Sequence, residues 1–139
     1  MTTSILLFHA GTWTLMVFGL GHLFIDLMMA NRRDQPPVFA VMRRHHVELP
    51  GRKMQLLDFV RGYSLLIGIL LLAFGALCAL LVISAPEILI QVPLIPFFAC
   101  GVSAICTALA VRYLFAIPML MSGFACAAFG LSGGLLLTF

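Results

Sequence analysis

The sequence predicts an all-α, polytopic membrane protein: a single transmembrane domain built as an antiparallel four-helix bundle. Three observations predict it. Hydrophobic residues make up 63% of the chain and charged residues 9%, with a mean hydropathy of +1.15, whereas soluble domains carry about 25% charged residues. The apolar residues gather into four runs, each long enough at about 1.5 Å per residue to reach across much or all of the ~30 Å hydrocarbon core. Seven of the eight basic residues (Arg32, Arg33, Arg43, Arg44, Arg52, Lys53 and Arg61) lie together around the connection between the first and second runs. A soluble fold of 139 residues cannot cover its surface with five acidic and eight basic residues, so lipid is the solvent. The net charge of +3 takes its meaning from that clustering and suits an anionic membrane surface, not nucleic acid.

The first span is expected over 5–30. It lacks a basic leader and is longer than the apolar core of a signal peptide, so it is expected to stay as helix. His9, His22 and Asp26 interrupt it, and Gly11, Gly19 and Gly21 thin it for a close neighbour. The basic connection over 31–56 opens with Asn-Arg-Arg-Asp and Pro36-Pro37, which stop a helix. Val38 to His46 then reads as a short amphipathic helix lying on the membrane surface, with Val38, Phe39, Val41 and Met42 beside Arg43 and Arg44. Pro50-Gly51 makes a turn, and strand content is expected to be near zero.

The second span is expected over 57–83, with Asp58 and Arg61 in its first turns and Gly68 and Gly75 seven residues apart on one face. Ser84-Ala85-Pro86-Glu87 ends it, and the short apolar piece from Ile88 to Val92 reads as an interfacial loop. The third span, over 93–111, begins at Pro93 or Pro96, where a missing amide donor costs nothing, and carries a small row of Cys100, Ala104 and Ala108. The fourth, over 115–137, carries Gly123, Ala127, Gly130 and Gly134, a stripe for close helix packing. The four cysteines (Cys78, Cys100, Cys106 and Cys126) all fall inside apolar runs without a CxxC pair and read as small packing residues.

With four spans, the two connections that carry basic residues share one side. The positive-inside rule makes that side cytoplasmic and places both termini outside, as in a bacterial inner membrane protein.

Chemistry concentrates at the ends of the spans that border the basic loop. His22 and Asp26 are four residues apart and so share a helix face. Asp58 and Arg61 enter the bilayer at the same level, and Arg112 with Tyr113 closes the third span there. Ionisable groups at membrane depth mark ligand or proton sites by default, although groups this near the interface also serve as paired anchors. His22 is the deepest of the set. An imidazole there suits a haem or chlorophyll-type metal, a quinone oxygen or a proton relay, and the residues do not single out one cofactor among these. His45, His46 and Glu48 offer the residue types of a metal site without its spacing, since adjacent histidines diverge and arginines flank them. No nucleophile elbow, Walker loop, dinucleotide fingerprint or haem-attachment motif is present.

Gly21-His22-Leu23, a polar loop with a methionine, and Gly62-Tyr63-Ser64 with Gly68 together resemble short four-helix bacterial membrane proteins, broadly the DoxX-like group. The resemblance covers about half of the chain and implies a bacterial four-helix membrane protein; it implies no activity. Two functions are expected from these features. The first is an accessory or structural subunit that packs against other membrane subunits or a second copy of itself. The alternative is a small-molecule, quinone, pigment or proton-handling enzyme or transporter centred on His22.

Overall fold

The computed structural model describes residues 2–31, 36–114 and 116–138, with the backbone alone at 30 and 31. Arg32, Arg33 and Asp34 of the basic connection, and the start of the fourth span at Phe115, lie outside the described residues. Among the described residues the chain is all-α apart from one small hairpin: α1 (Thr2–Asn31), α2 (Pro37–Arg44), β1 (His46–Leu49), β2 (Arg52–Gln55), α3 (Leu56–Ser84), α4 (Glu87–Gln91), α5 (Leu94–Tyr113) and α6 (Ala116–Leu137). Helices α1, α3, α5 and α6 are long and apolar enough to cross a membrane, and the protein is a multi-pass membrane protein. In lipid each backbone amide and carbonyl must be bonded within its own segment, which these helices achieve. Helices α5 and α6 both place a proline in the first turn (Pro96 and Pro118), where the chain has no intrahelical donor to lose.

Two compact units make up the chain. The first comprises residues 1–18 and 71–139 and contains segments of all four long helices. Contacts within it set their directions. Ser4 meets Ser132 and Phe8 meets Phe129, so α1 and α6 are antiparallel. Thr107 meets Ser122 and Phe97 meets the backbone of Gly133, so α5 and α6 are antiparallel as well. The buried cluster includes Phe8, Leu15, Cys78, Val82, Leu89, Ala99, Ala125 and Phe129. Leu89 comes from α4, so the piece expected to be an interfacial loop is a five-residue helix with one side chain driven fully into the core.

The second unit, residues 19–70, contains the end of α1, the start of α3 and the elements between them. Helix α2 starts at Pro37 and ends at Arg44, two residues earlier than the sequence suggests, because the chain from His46 onward is extended. The expectation of near-zero strand is corrected here: β1 pairs antiparallel with β2 in the register His46 to Gln55, Val47 to Met54, Glu48 to Lys53 and Leu49 to Arg52. The physical reason is the turn. Proline presets the backbone at Pro50, and Gly51 takes a φ of +85°, the pairing that closes a type II turn. Once closed, the turn brings Glu48 Oε1 within 2.9 Å of Lys53 Nζ, and the Leu56 amide donates to the His45 carbonyl at 2.9 Å, extending the ladder to the foot of α3.

Candidate functional site

The site is built on the second unit's stretch of α1 against α3. Two glycines bring the helix backbones close: a Cβ on Gly68 would lie 3.1 Å from the Leu23 side chain and 3.2 Å from the Gly19 carbonyl oxygen. One turn nearer the start of α3, His22 Nδ1 lies 3.3 Å from Ser64 Oγ. His22 therefore faces its neighbouring helix, with Nδ1 directed at α3. Ser64 was not among the site residues read from the sequence. The sequence holds both glycines but not their pairing; with Gly19 against Gly68, Ser64 falls opposite His22.

The next turn carries the charges. Asp26 follows His22 by four residues on α1 and Arg61 precedes Ser64 by three on α3, so antiparallel packing puts the two at one level. Both are partly buried. Asp26 Oδ2 and Arg61 Nη2 are each shielded from solvent with no hydrogen-bond partner among the described residues. Leaving a charged donor or acceptor unmade is expensive, on the order of 1–3 kcal/mol or more. The seam is net neutral when both are charged. It offers one strong acceptor and one strong donor beside an imidazole that can act as either, an arrangement that fits a neutral group presenting both a donor and an acceptor, or a proton in transit.

Asp58 is exposed at the start of α3. Arg112 and Tyr113 belong to the first unit, where the guanidinium sits 5.5 Å from the centroid of the Tyr113 ring. Both are exposed at the C-terminal end of α5, a placement suited to an interfacial anchor and to the negative end of the helix dipole. His45 joins α2 to β1, its amide donating to Val41 and its carbonyl accepting from Leu56. Glu48 is engaged by Lys53 across the hairpin. Among the described residues no three His, Cys, Asp or Glu side chains come together as a group able to hold a metal, so His45, His46 and Glu48 do not form one.

The packing glycines divide. A Cβ at Gly75 would lie 2.7 Å from Met16 Cγ, at Gly130 3.3 Å from Cys100 Sγ, and at Gly123 3.7 Å from Thr107. Gly134 has nothing within 4 Å; the adjacent Gly133 takes the contact, against the Phe97 ring at 3.1 Å. Ala127, expected in the packing stripe, is exposed: α6 buries Ala125 and Ala128 instead. The four cysteines are free thiols, and Cys100 Sγ and Cys126 Sγ approach to 3.6 Å between α5 and α6. No protein-family model, curated protein or solved structure matches the chain, so its functional reading rests on this geometry.

Proposed function

We propose that this multi-pass membrane protein binds a small neutral molecule or passes protons at the polar seam of α1 and α3. Asp26 and Arg61 are the charged partners, and His22, oriented by Ser64, is the donor-acceptor group beside them. The observation that carries this reading is the pair of buried, unpartnered atoms, Asp26 Oδ2 and Arg61 Nη2, one turn from the His22 to Ser64 contact. A quinone or quinol is the class of ligand that suits both the chemistry and the solvent, since its oxygens accept or donate and its body dissolves in lipid. The clustering of basic residues around the first connection supports a cytoplasmic hairpin, with both termini on the outer side of a bacterial inner membrane.

Gentle purification followed by mass spectrometry and an absorption spectrum tests the reading. The wild-type protein is expected to carry a quinone or another small molecule, His22→Ala to lose it while still inserting in the membrane, and Asp26→Asn to bind it more weakly. A purely structural charge pair gives the opposite pattern. Asp26→Asn then lowers expression with no change in bound ligand, and Arg61→Gln in the same chain restores it. That rescue would overturn the proposal.

A second reading, the accessory subunit, has its own observation. Helix α5 exposes Gly101, Ala104 and Ala108 on one face, with open space around Gly101. Small residues on a lipid-facing surface admit a partner helix at close range. Partner subunits or a second copy that co-purify with the wild type and are lost with Gly101→Leu would support it.

A further inference from the structure

Helices α5 and α6 lie side by side in the first unit, and glycines on α6 set how closely they approach. A Cβ at Gly133 would lie 3.1 Å from the Phe97 ring, at Gly130 3.3 Å from Cys100 Sγ, and at Gly123 3.7 Å from Thr107 Cγ2. Thr107 Oγ1 also lies 3.1 Å from Ser122 Oγ. As the position on α5 rises the position on α6 falls, so one antiparallel register holds from Phe97 to Thr107. With no Cβ at Gly130, the Cys100 side chain lies directly against the α6 backbone. Cys126 precedes Gly130 by four residues and so occupies the adjoining position on the same helix face. Its Sγ is 3.6 Å from that of Cys100, a contact in which either thiol can donate to the other. Cys78 and Cys106 make no such approach to a second thiol among the described residues.

We infer that Cys100 and Cys126 are a redox dithiol, converted to an interhelical disulfide by a lipid-soluble quinone. Both S–H bonds break, one S–S bond forms, and the two hydrogens with their two electrons pass to the quinone, which leaves as the quinol. The helix register already sets the thiols in contact, so closing to a bond of about 2.05 Å asks for side-chain rotation and no new pairing of helices.

The position of the pair selects the oxidant. Cys100 is six residues into α5 from Leu94 and Cys126 ten into α6 from Ala116, which at about 1.5 Å per residue sets them about 9 Å and 15 Å along their spans. Both thiols are partly buried, so each keeps some exposed surface on a span whose solvent is lipid. A charged oxidant is costly at that depth, whereas a dithiol and a quinone are neutral and so are the disulfide and quinol they give. The inference does not rest on the function proposed above, because the pair belongs to the other unit and shares no residue with the Asp26 and Arg61 seam.

The test uses the reduced full-length protein in lipid vesicles without oxygen, treated with a short-chain benzoquinone substituted at every ring carbon so that thiols cannot add to it. After quenching in denaturing detergent with an alkylating reagent, the wild type is expected to have lost two of its four free thiols and to have formed one quinol per chain. Digestion is expected to yield a peptide linking Cys100 to Cys126, with Cys78 and Cys106 alkylated. Cys100→Ser and Cys126→Ser are each expected to keep all three remaining thiols. Retention of all four thiols in the wild type would overturn the inference, as would a disulfide through Cys78 or Cys106 or one joining two chains. Peptide mapping of the wild type decides this even where a serine variant folds poorly.

Discussion

Two glycines of the long helices make opposite demands on a side chain. At Gly75 an added Cβ would lie 2.7 Å from Met16 Cγ and 3.1 Å from both the Met16 amide nitrogen and the Thr12 carbonyl oxygen. The side chain can move but the backbone atoms cannot, so Gly75→Ala is expected to destabilise the fold by about 1–3 kcal/mol through overpacking. At Gly101 nothing lies within 4 Å, and alanine, the better helix former, is expected to be neutral or to add up to about 1 kcal/mol. Unfolding midpoints in mixed micelles check both, and loss of stability of similar size at the two sites would contradict the packing described. Seven-residue spacing already marked Gly68 and Gly75 as a groove for a partner helix. It did not tell Gly133 from Gly134, because the choice between adjacent positions depends on how α6 is rotated against Phe97.

Among the elements, the hairpin is the one that local reasoning passed over. Its strands are four residues each, too short for alternation to stand out, and they carry His46, Glu48, Arg52 and Lys53 in place of an apolar face. The turn decides it. Gly51 holds a φ of +85°, where a Cβ is strained, so Gly51→Ala is expected to weaken the hairpin by about 1 kcal/mol. Hydrogen exchange of the amides in β1 and β2 should then speed up by about fivefold while the long helices keep their protection. Exchange unchanged throughout would mean that the turn does not hold the strands. The Glu48 to Lys53 ion pair adds little to this, since its side chains are 76% and 63% exposed.

The whole molecule is organised for lipid. Leu6, Phe98, Ile105, Leu120 and Leu131 are all 60% or more exposed on the long helices, where a soluble protein would hide them. With lipid as apolar as leucine, there is little hydrophobic force between helices, so cohesion comes from close backbone approach and from hydroxyl pairs such as Ser4 with Ser132. The proposed orientation is checked by single cysteines in a background lacking Cys78, Cys100, Cys106 and Cys126. Arg52→Cys is expected to react with a membrane-impermeant reagent only from the cytoplasm, and Glu87→Cys only from outside. The reverse pattern would invert the topology, and reaction of both from one side would break the count of four spans.

What the sequence by itself determined is what depends on local composition: four apolar runs of spanning length, the proline and glycine punctuation between them, the amphipathic piece at Val38, and the gathering of charge near one end of the spans. The resulting helix boundaries agree with the structure to within a few residues, because a helix in lipid needs only length and apolar character. Tertiary structure alone decided that Ser64 meets His22 and that the buried atoms of Asp26 and Arg61 lack partners among the described residues. The reason is physical. Spans that are apolar on every side carry no amphipathic stripe to mark an inward face, so each helix's rotation and register are set by the neighbours it packs against.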